Sequence, residues 1–110
     1  MKYTLRQSSE IEELFQNGKK IQTPYFMLLY LPANGDLSGK IAYIAGKKIG
    51  NAVYRNKAKR ILRLLVERNG GQISGYKCAL VARKQIFDVS FSDIEGIYRQ
   101  KVENIFARNI

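Results

Sequence analysis

The residues of this chain best suited to chemistry are the cations between Lys47 and Arg68. This stretch holds eight Lys or Arg and one acid, Glu67, so it carries a net charge of +7 out of +10 for the whole protein. Ammonium and guanidinium groups bind phosphate oxygens, and guanidinium can do so through two parallel hydrogen bonds. Such a concentration of cations therefore predicts a polyanion partner, with nucleic acid as the leading candidate.

Helical periodicity separates the cations from the apolar residues over residues 52–68. At about 100° per residue, a helix turns its polar and apolar residues to opposite sides. Pairs of like charges four positions apart destabilise a helix by a few tenths of a kcal/mol each. Within residues 52–68 no acid precedes Glu67 to offset them. This favours a ligand that supplies negative charge over a merely solvated surface. The basic side consists of Arg55, Asn56, Lys59, Arg60 and Arg63, and the apolar side of Tyr54, Ala58, Ile61, Leu62 and Leu65.

The segment before this helix is also suited to anions. Gly46 and Gly50 enclose Lys47 and Lys48, and Asn51 is a typical helix N-cap. We expect free backbone N–H groups here, beside two lysines at the start of a helix. The nucleotide-binding pattern G-x-x-x-x-G-K-[ST] is absent from the sequence.

Residues for catalysis are scarce. The chain has no histidine, and its single cysteine, Cys78, lies in an apolar run and is expected to be buried and inert. Several of the nine acids fall in predicted first turns of helices, where they complement the helix dipole. Nothing in the sequence indicates the converging carboxylates of a two-metal nuclease. We therefore expect no catalytic side chain, no metal site and no small-molecule cofactor in this chain.

Length and hydropathy predict one domain over residues 1–110. The first ten residues are polar, unlike a signal peptide, and the longest apolar runs fall far short of the roughly 20 residues that span a bilayer. We therefore expect a cytoplasmic protein without a membrane partner.

Three helices and three or four strands are predicted to position the basic stretch. An opening helix with an apolar face at Ile11, Leu14 and Phe15 ends at Gly18, and a final helix begins near Ser92. Capping boxes are predicted at Ser9 with Glu12 and at Ser92 with Glu95. Strands are predicted at residues 25–31, 40–45 and 77–83, with a short edge strand at 20–23.

These elements predict an α+β protein, a single-domain α/β sandwich with the order α-β-β-β-α-β-α. Strands 25–31 and 40–45 are expected to be antiparallel neighbours across the turn at residues 32–36, with the helices on one face of the sheet. The passage through strand 40–45, the basic helix and strand 77–83 is a crossover, whose usual hand is right.

Residues 47–63 resemble the protein subunits of bacterial ribonuclease P. That family carries the signature K-K-x-G-x-A-V-x-R-N-x-x-K-R-x-x-R, and every fixed position of the signature is matched here. Residues 5–9 followed by Phe15 and Gly18 resemble the opening helix of the family, and residues 75–84 resemble its strand ending in A-R-K. The family often has an aromatic residue where Ile11 stands.

The resemblance implies more than periodicity does. It implies a fold like that of the second domain of ribosomal protein S5, with a left-handed crossover around the basic helix. It also implies an accessory subunit of a ribonucleoprotein endonuclease, whose RNA subunit hydrolyses precursor tRNA with bound Mg²⁺. The protein would bind this RNA and hold the single-stranded 5′ leader of the precursor in a cleft of sheet and helix.

Site residues are carried over by position. Contacts to the catalytic RNA are implied for Arg55, Asn56, Lys59, Arg60 and Arg63, and Lys47, Lys48 and Asn51 would extend that surface. Phe15 is a candidate for lining the leader cleft and equally a candidate core residue, and Tyr25, Phe26 and Tyr30 are further cleft candidates. Aromatic rings stack on bases with little sequence preference, which suits a variable leader.

Three other functions remain as alternatives. Basic charge on an α/β fold also fits a ribosomal protein or a general RNA chaperone, although the match at fixed positions favours ribonuclease P. A nuclease acting without RNA would need carboxylates that the pattern does not bring together. A DNA-reading module is disfavoured because no helix-turn-helix or zinc-ligand spacing is seen.

Overall fold

The computed structural model of the chain describes residues 8–32, 40–69 and 76–103. The helices and strands within these ranges follow the predicted order α-β-β-β-α-β-α. They are α1 (Ser8–Asn17), β1 (Lys19–Gln22), β2 (Phe26–Pro32), β3 (Lys40–Ile44), α2 (Ala52–Arg68), β4 (Tyr76–Ala82) and α3 (Phe91–Tyr98). Single 3-10 turns follow β3 at Lys47–Ile49 and β4 at Lys84–Phe87, and a π-helical turn at Arg99–Glu103 extends α3.

The four strands form one sheet in the order β1-β2-β4-β3. β2 pairs with both β1 and β4 in antiparallel fashion, whereas β3 pairs with β4 in parallel. The expectation that β2 and β3 are neighbours is wrong, because β4 lies between them. β2 and β4 bury side chains on both faces of the sheet. A strand in the middle of a sheet has both faces covered and both edges paired, so these two strands take the central positions.

Helices cover both faces of this sheet. Leu28, Cys78 and Leu80 pack on one face with α2 and α3, and Leu29 and Ala79 pack on the other with Leu14 of α1. The expectation of helices on one face is therefore wrong for α1. Since adjacent residues of a strand point to opposite faces, the consecutive buried leucines 28 and 29 need cover on both sides. The crossover β3–α2–β4 joins parallel neighbours, and its left-handed sense remains a prediction.

A polar cluster ties the end of α2 to α3. The Glu95 carboxylate, which is 8% exposed, accepts hydrogen bonds from Arg68 Nε at 3.0 Å and Asn69 Nδ2 at 3.2 Å. The hydrogen bond from Arg68, with the charges of Arg68 and Arg99, lowers the pKa of Glu95 against the opposing effect of burial. The Arg68 guanidinium also lies 5.6 Å from the centre of the Phe91 ring. These contacts fix the C-terminal end of the basic helix.

The start of α3 differs from the predicted one. Ser90 is the N-cap, and its hydroxyl accepts a hydrogen bond from the Asp93 backbone N–H at 3.3 Å. The capping box at Ser92 with Glu95 is therefore wrong: Ser92 lies in the first turn, and the Glu95 carboxylate is engaged by α2. The capping role predicted for the Ser9 side chain lies outside the described residues.

Candidate nucleic-acid interface

The basic helix α2 turns its cations outward as predicted, but not all of them equally. Ala58, Leu62, Leu65 and Val66 are buried against the sheet and α3. On the opposite side Asn56, Arg60 and Arg63 are exposed, whereas Arg55 and Lys59 are partly buried along one flank. The five predicted residues therefore divide into an exposed set and a flanking pair.

Two of these arginines are held by contacts with the strand β3 and the residue after it. The Nε of Arg55 donates a hydrogen bond to the carbonyl oxygen of Ala45 at 3.1 Å. The guanidinium of Arg63 lies 5.4 Å from the centre of the Tyr43 ring. Burial raises the pKa of Tyr43 to about 12, so this ring remains neutral at physiological pH. Both cations are therefore oriented before any ligand binds, which reduces the entropy lost on binding.

The apolar side of α2 was predicted less accurately at its beginning. Tyr54 is 51% exposed, and Val53 is 72% exposed. The buried side is centred on Leu62 and Leu65, so Tyr54 falls at its margin in the first turn. Its ring packs edge-on against Phe87 at 5.8 Å between centroids.

The segment before α2 offers fewer free amides than expected. The N–H groups of Ile49 and Gly50 donate to Gly46 and Lys47 within the 3-10 turn. The Asn51 side chain caps α2 as predicted, accepting from the N–H groups of residues 53 and 54. Anion binding in this segment therefore depends on the exposed side chains of Lys47 and Lys48.

A groove of about 690 Å³ lies where β3 and β4 end side by side. Lys47 and Lys48 follow β3, Arg83 and Lys84 follow β4, and both basic pairs line the groove. Its apolar lining includes Met27, Ile49 and Val81. Met27 and Val81 pack with the apolar cluster under α1, so the groove opens on the α1 face of the sheet. The arrangement combines a cationic rim with an apolar floor.

Arg83 has unused hydrogen-bonding capacity in this groove. Its Nε is buried and has no hydrogen-bond partner in the described part of the chain, and its Nη2 is 3.5 Å from the Gln22 side-chain oxygen. A buried guanidinium N–H without an acceptor is unfavourable.

The structure assigns faces to the four aromatic candidates for a leader cleft. Phe26 is fully buried in the core beneath α2 and α3. Tyr25 and Tyr30 pack on that same core, and Tyr30 lies edge-on to Tyr76 at 5.8 Å. These three side chains are therefore on the other side of the sheet from the groove. Phe15 is 41% exposed on α1, but it is not among the residues that line the groove.

Arg83, Lys84 and Met27 are site residues that the sequence reasoning missed. The signal for the first two was present in the sequence, since Arg83 ends the predicted core strand 77–83 and Lys84 follows it directly. Ligands of open sheets bind outside the carboxyl ends of parallel strands. The basic pair 83–84 therefore indicates a binding site only when β3 and β4 are known to be parallel neighbours.

The other chemistry of the described residues is limited. No group of three or more His, Cys, Asp or Glu among them could hold a metal ion. No helix in the described ranges is long and apolar enough to cross a membrane. Cys78 is buried as predicted, and burial raises the pKa of its thiol.

Comparisons with known proteins agree on one family. The sequence matches the family profile described as Ribonuclease P over residues 1–108. The ribonuclease P protein component of Syntrophomonas wolfei is 36% identical over 111 residues, covering 98% of this chain and 92% of that protein. The corresponding protein of Nitratiruptor sp. is 31% identical, covering 96% of this chain and 94% of its own length.

Solved structures of similar proteins give the same result. The ribonuclease P protein of Thermotoga maritima is 28% identical, superposes with a TM-score of 0.74 and covers 97% of both chains. The Staphylococcus aureus protein has a TM-score of 0.81 over 96% of both chains at 19% identity, which shows a shared fold. With its basic helix and its groove, this chain belongs to the bacterial ribonuclease P protein family.

Proposed function

We propose that this chain binds the RNA subunit of ribonuclease P through α2 and holds the 5′ leader of precursor tRNA in the groove at the ends of β3 and β4. In this way it assists the endonucleolytic removal of the leader that produces the mature 5′ end. The observation that carries the proposal is the meeting of two basic pairs, 47–48 and 83–84, around an apolar floor.

The lining of the groove supports a single-stranded ligand. Phosphates of an extended strand can pair with the four cations that line the groove. Bases can rest on Met27, Ile49 and Val81, which provide apolar surface without a pattern of base-reading groups. A site of this kind tolerates variable sequence.

The exposed side of α2 supports a second contact with structured RNA. Asn56, Arg60 and Arg63 present one amide and two guanidinium groups to solvent on a rigid helix, and Arg63 is oriented by Tyr43. Guanidinium groups suit phosphates because they form paired hydrogen bonds. We assign this side to the RNA subunit because the groove leaves it free.

The hydrolysis itself is assigned to the RNA partner. As part of this proposal, we assign the Mg²⁺ of the reaction to the RNA subunit. This chain contributes binding and orientation of the leader, which raises the affinity for precursor over product.

The test compares precursor and mature tRNA. The protein is added to the RNA subunit at low Mg²⁺, and the dissociation constants of both tRNAs are measured. We expect the protein to tighten binding of precursor tRNA and leave mature tRNA unchanged. The double variant Arg83→Gln/Lys84→Gln should remove most of this difference, whereas Lys19→Gln/Lys20→Gln, an equal charge change on the exposed strand β1, should retain it. Equal tightening of both tRNAs would instead indicate a general RNA chaperone and contradict the proposal.

A further inference from the structure

A second, smaller pocket lies next to the groove, at the beginning of α2. It has a volume of about 350 Å³. Ile49 and Lys84 line both the groove and this pocket, so the two are adjacent and share these side chains as a border. The remaining lining residues are Gly50, Asn51, Tyr54, Phe87 and Asp88.

The pocket presents an aromatic surface beside cations. Half of the Tyr54 side chain is exposed, and its ring is held edge-on by Phe87. The Nζ of Lys57 lies 5.9 Å from the centre of the Phe87 ring, and Lys84 stands on the shared border with the groove. An exposed ring near two cations fits a base on the ring and a phosphate at the ammonium groups.

The backbone at Gly50 gives this surface its shape. Gly50 has φ +140, and a Cβ there would lie 3.3 Å from Cβ of Tyr54 and 3.4 Å from its Cδ2. Glycine at this position therefore leaves room for the Tyr54 side chain, which a Cβ would crowd. The Phe87 ring packs edge-on against the Tyr54 ring and restrains it, so stacking on Tyr54 would cost little side-chain entropy.

We propose that this pocket, which we call the Tyr54 shelf, binds one unpaired nucleobase of the leader strand as the strand leaves the groove past Lys84. The inference rests on the proposed function, because the strand is the one assigned to the groove. The border shared with the groove at Ile49 and Lys84 favours the leader over the RNA subunit, which is assigned to the other side of α2.

Asp88 adds selectivity to the shelf. Asp88 lines the pocket, and its negative charge repels phosphate, so we expect the base edge and not the backbone of the strand to face it. A carboxylate accepts hydrogen bonds from the amino groups of adenine, cytosine or guanine, whereas the one ring donor of uracil, N3–H, lies between two carbonyl oxygens that repel a carboxylate. The shelf should therefore favour an amino-bearing base over uracil.

The test uses the holoenzyme assembled from the RNA subunit and this protein. Precursor tRNAs carry the fluorescent base 2-aminopurine at one leader position at a time. We expect the fluorescence of 2-aminopurine to be quenched at one leader position beyond those nearest the cleavage site. This quenching should be lost in Tyr54→Ala and kept in Tyr54→Phe. Val53→Ala is the control, because Val53 is an exposed neighbour that does not line the pocket. Thermal unfolding of each variant checks that the fold is retained.

Affinity gives a second readout. For leaders long enough to reach the shelf, Tyr54→Ala should weaken binding on the order of tenfold, and for shorter leaders it should have no effect. Quenching that survives in Tyr54→Ala, or an equal loss for all leaders and for mature tRNA, would overturn the shelf as a leader site. A wild-type protein that gives no preference for precursor over mature tRNA would instead overturn the proposed function itself.

Discussion

Replacing both Arg60 and Arg63 with glutamine should reduce the salt dependence of binding to the RNA subunit. Both side chains are exposed on the outward side of α2, where Arg63 also lies over the ring of Tyr43. Arg55 is left unchanged because its Nε binds the carbonyl of Ala45, so its loss would also affect stability. The double substitution therefore changes charge at the interface with little change to the fold.

The magnitude follows from counterion release. Each lost phosphate contact changes the slope of log affinity against log salt by about 0.7–0.9, so two contacts change it by about 1.4–1.8. Over a roughly fourfold rise in salt, the gap in affinity between wild type and variant should shrink by about tenfold. At low salt the variant binds more weakly, and at high salt the two converge.

The assay is equilibrium binding of the labelled RNA subunit at several salt concentrations. The control is Lys19→Gln/Lys20→Gln, which removes the same charge from β1, at the edge of the sheet opposite β3. An unchanged slope in the Arg60/Arg63 variant, or the same change in the control, would refute the assignment of this side of α2 to RNA.

Three further outcomes test the fold. Glu95→Gln should lower the melting temperature near neutral pH and remove part of its acid dependence. The folded-state pKa of Glu95 is lowered, so the stability that this carboxylate contributes is present above about pH 4.3, the unfolded pKa, and is lost as the pH falls through the folded pKa. Melting curves between about pH 3 and 7 check this, and a melting temperature lowered by the same amount at every pH would contradict it. Gly50→Ala should lower the free energy of unfolding, measured by chemical denaturation, by about 1–3 kcal/mol because Gly50 has a positive φ. Gly46→Ala, with no atom within 4 Å of the new Cβ, should lower it less. Equal losses of stability in the two variants would contradict the argument from φ. Leu62→Ala should cost about 2–5 kcal/mol because Leu62 is fully buried, and Leu64→Ala, at a position 45% exposed, should cost far less in the same assay.

Local features of this fold were predictable from the sequence. The cap at Asn51, the extent of α2 and the burial of Cys78 depend on neighbours along the chain, and the structure confirms all three. Periodicity also separated the buried residues around Leu62 from the exposed cations. At the first turn of α2 it failed, because Tyr54 lies at the margin of the buried side.

Strand neighbours were not predictable in the same way. The turn predicted at residues 32–36, most of which lie outside the described residues, indicates that the chain reverses, but it does not say which strand fills the adjacent position. β4 lies between β2 and β3 because its residues 78–80 need cover on both faces. The groove depends on this insertion, so Arg83 and Lys84 could not be joined to Lys47 and Lys48 from the sequence alone.

The parallel pairing of β3 with β4 separates the connections that enter these strands from the basic pairs that follow them. Ile44 pairs with Val81, and Lys47 and Lys84 each follow three positions later. Residues 33–39 and 70–75, which lead into the two strands, join them at their opposite ends. Insertions or deletions in those connections would leave the spacing between the two basic pairs unchanged, whereas a register slip of one residue between β3 and β4 would misalign them. The register between β3 and β4 therefore sets the spacing between the two basic pairs of the groove.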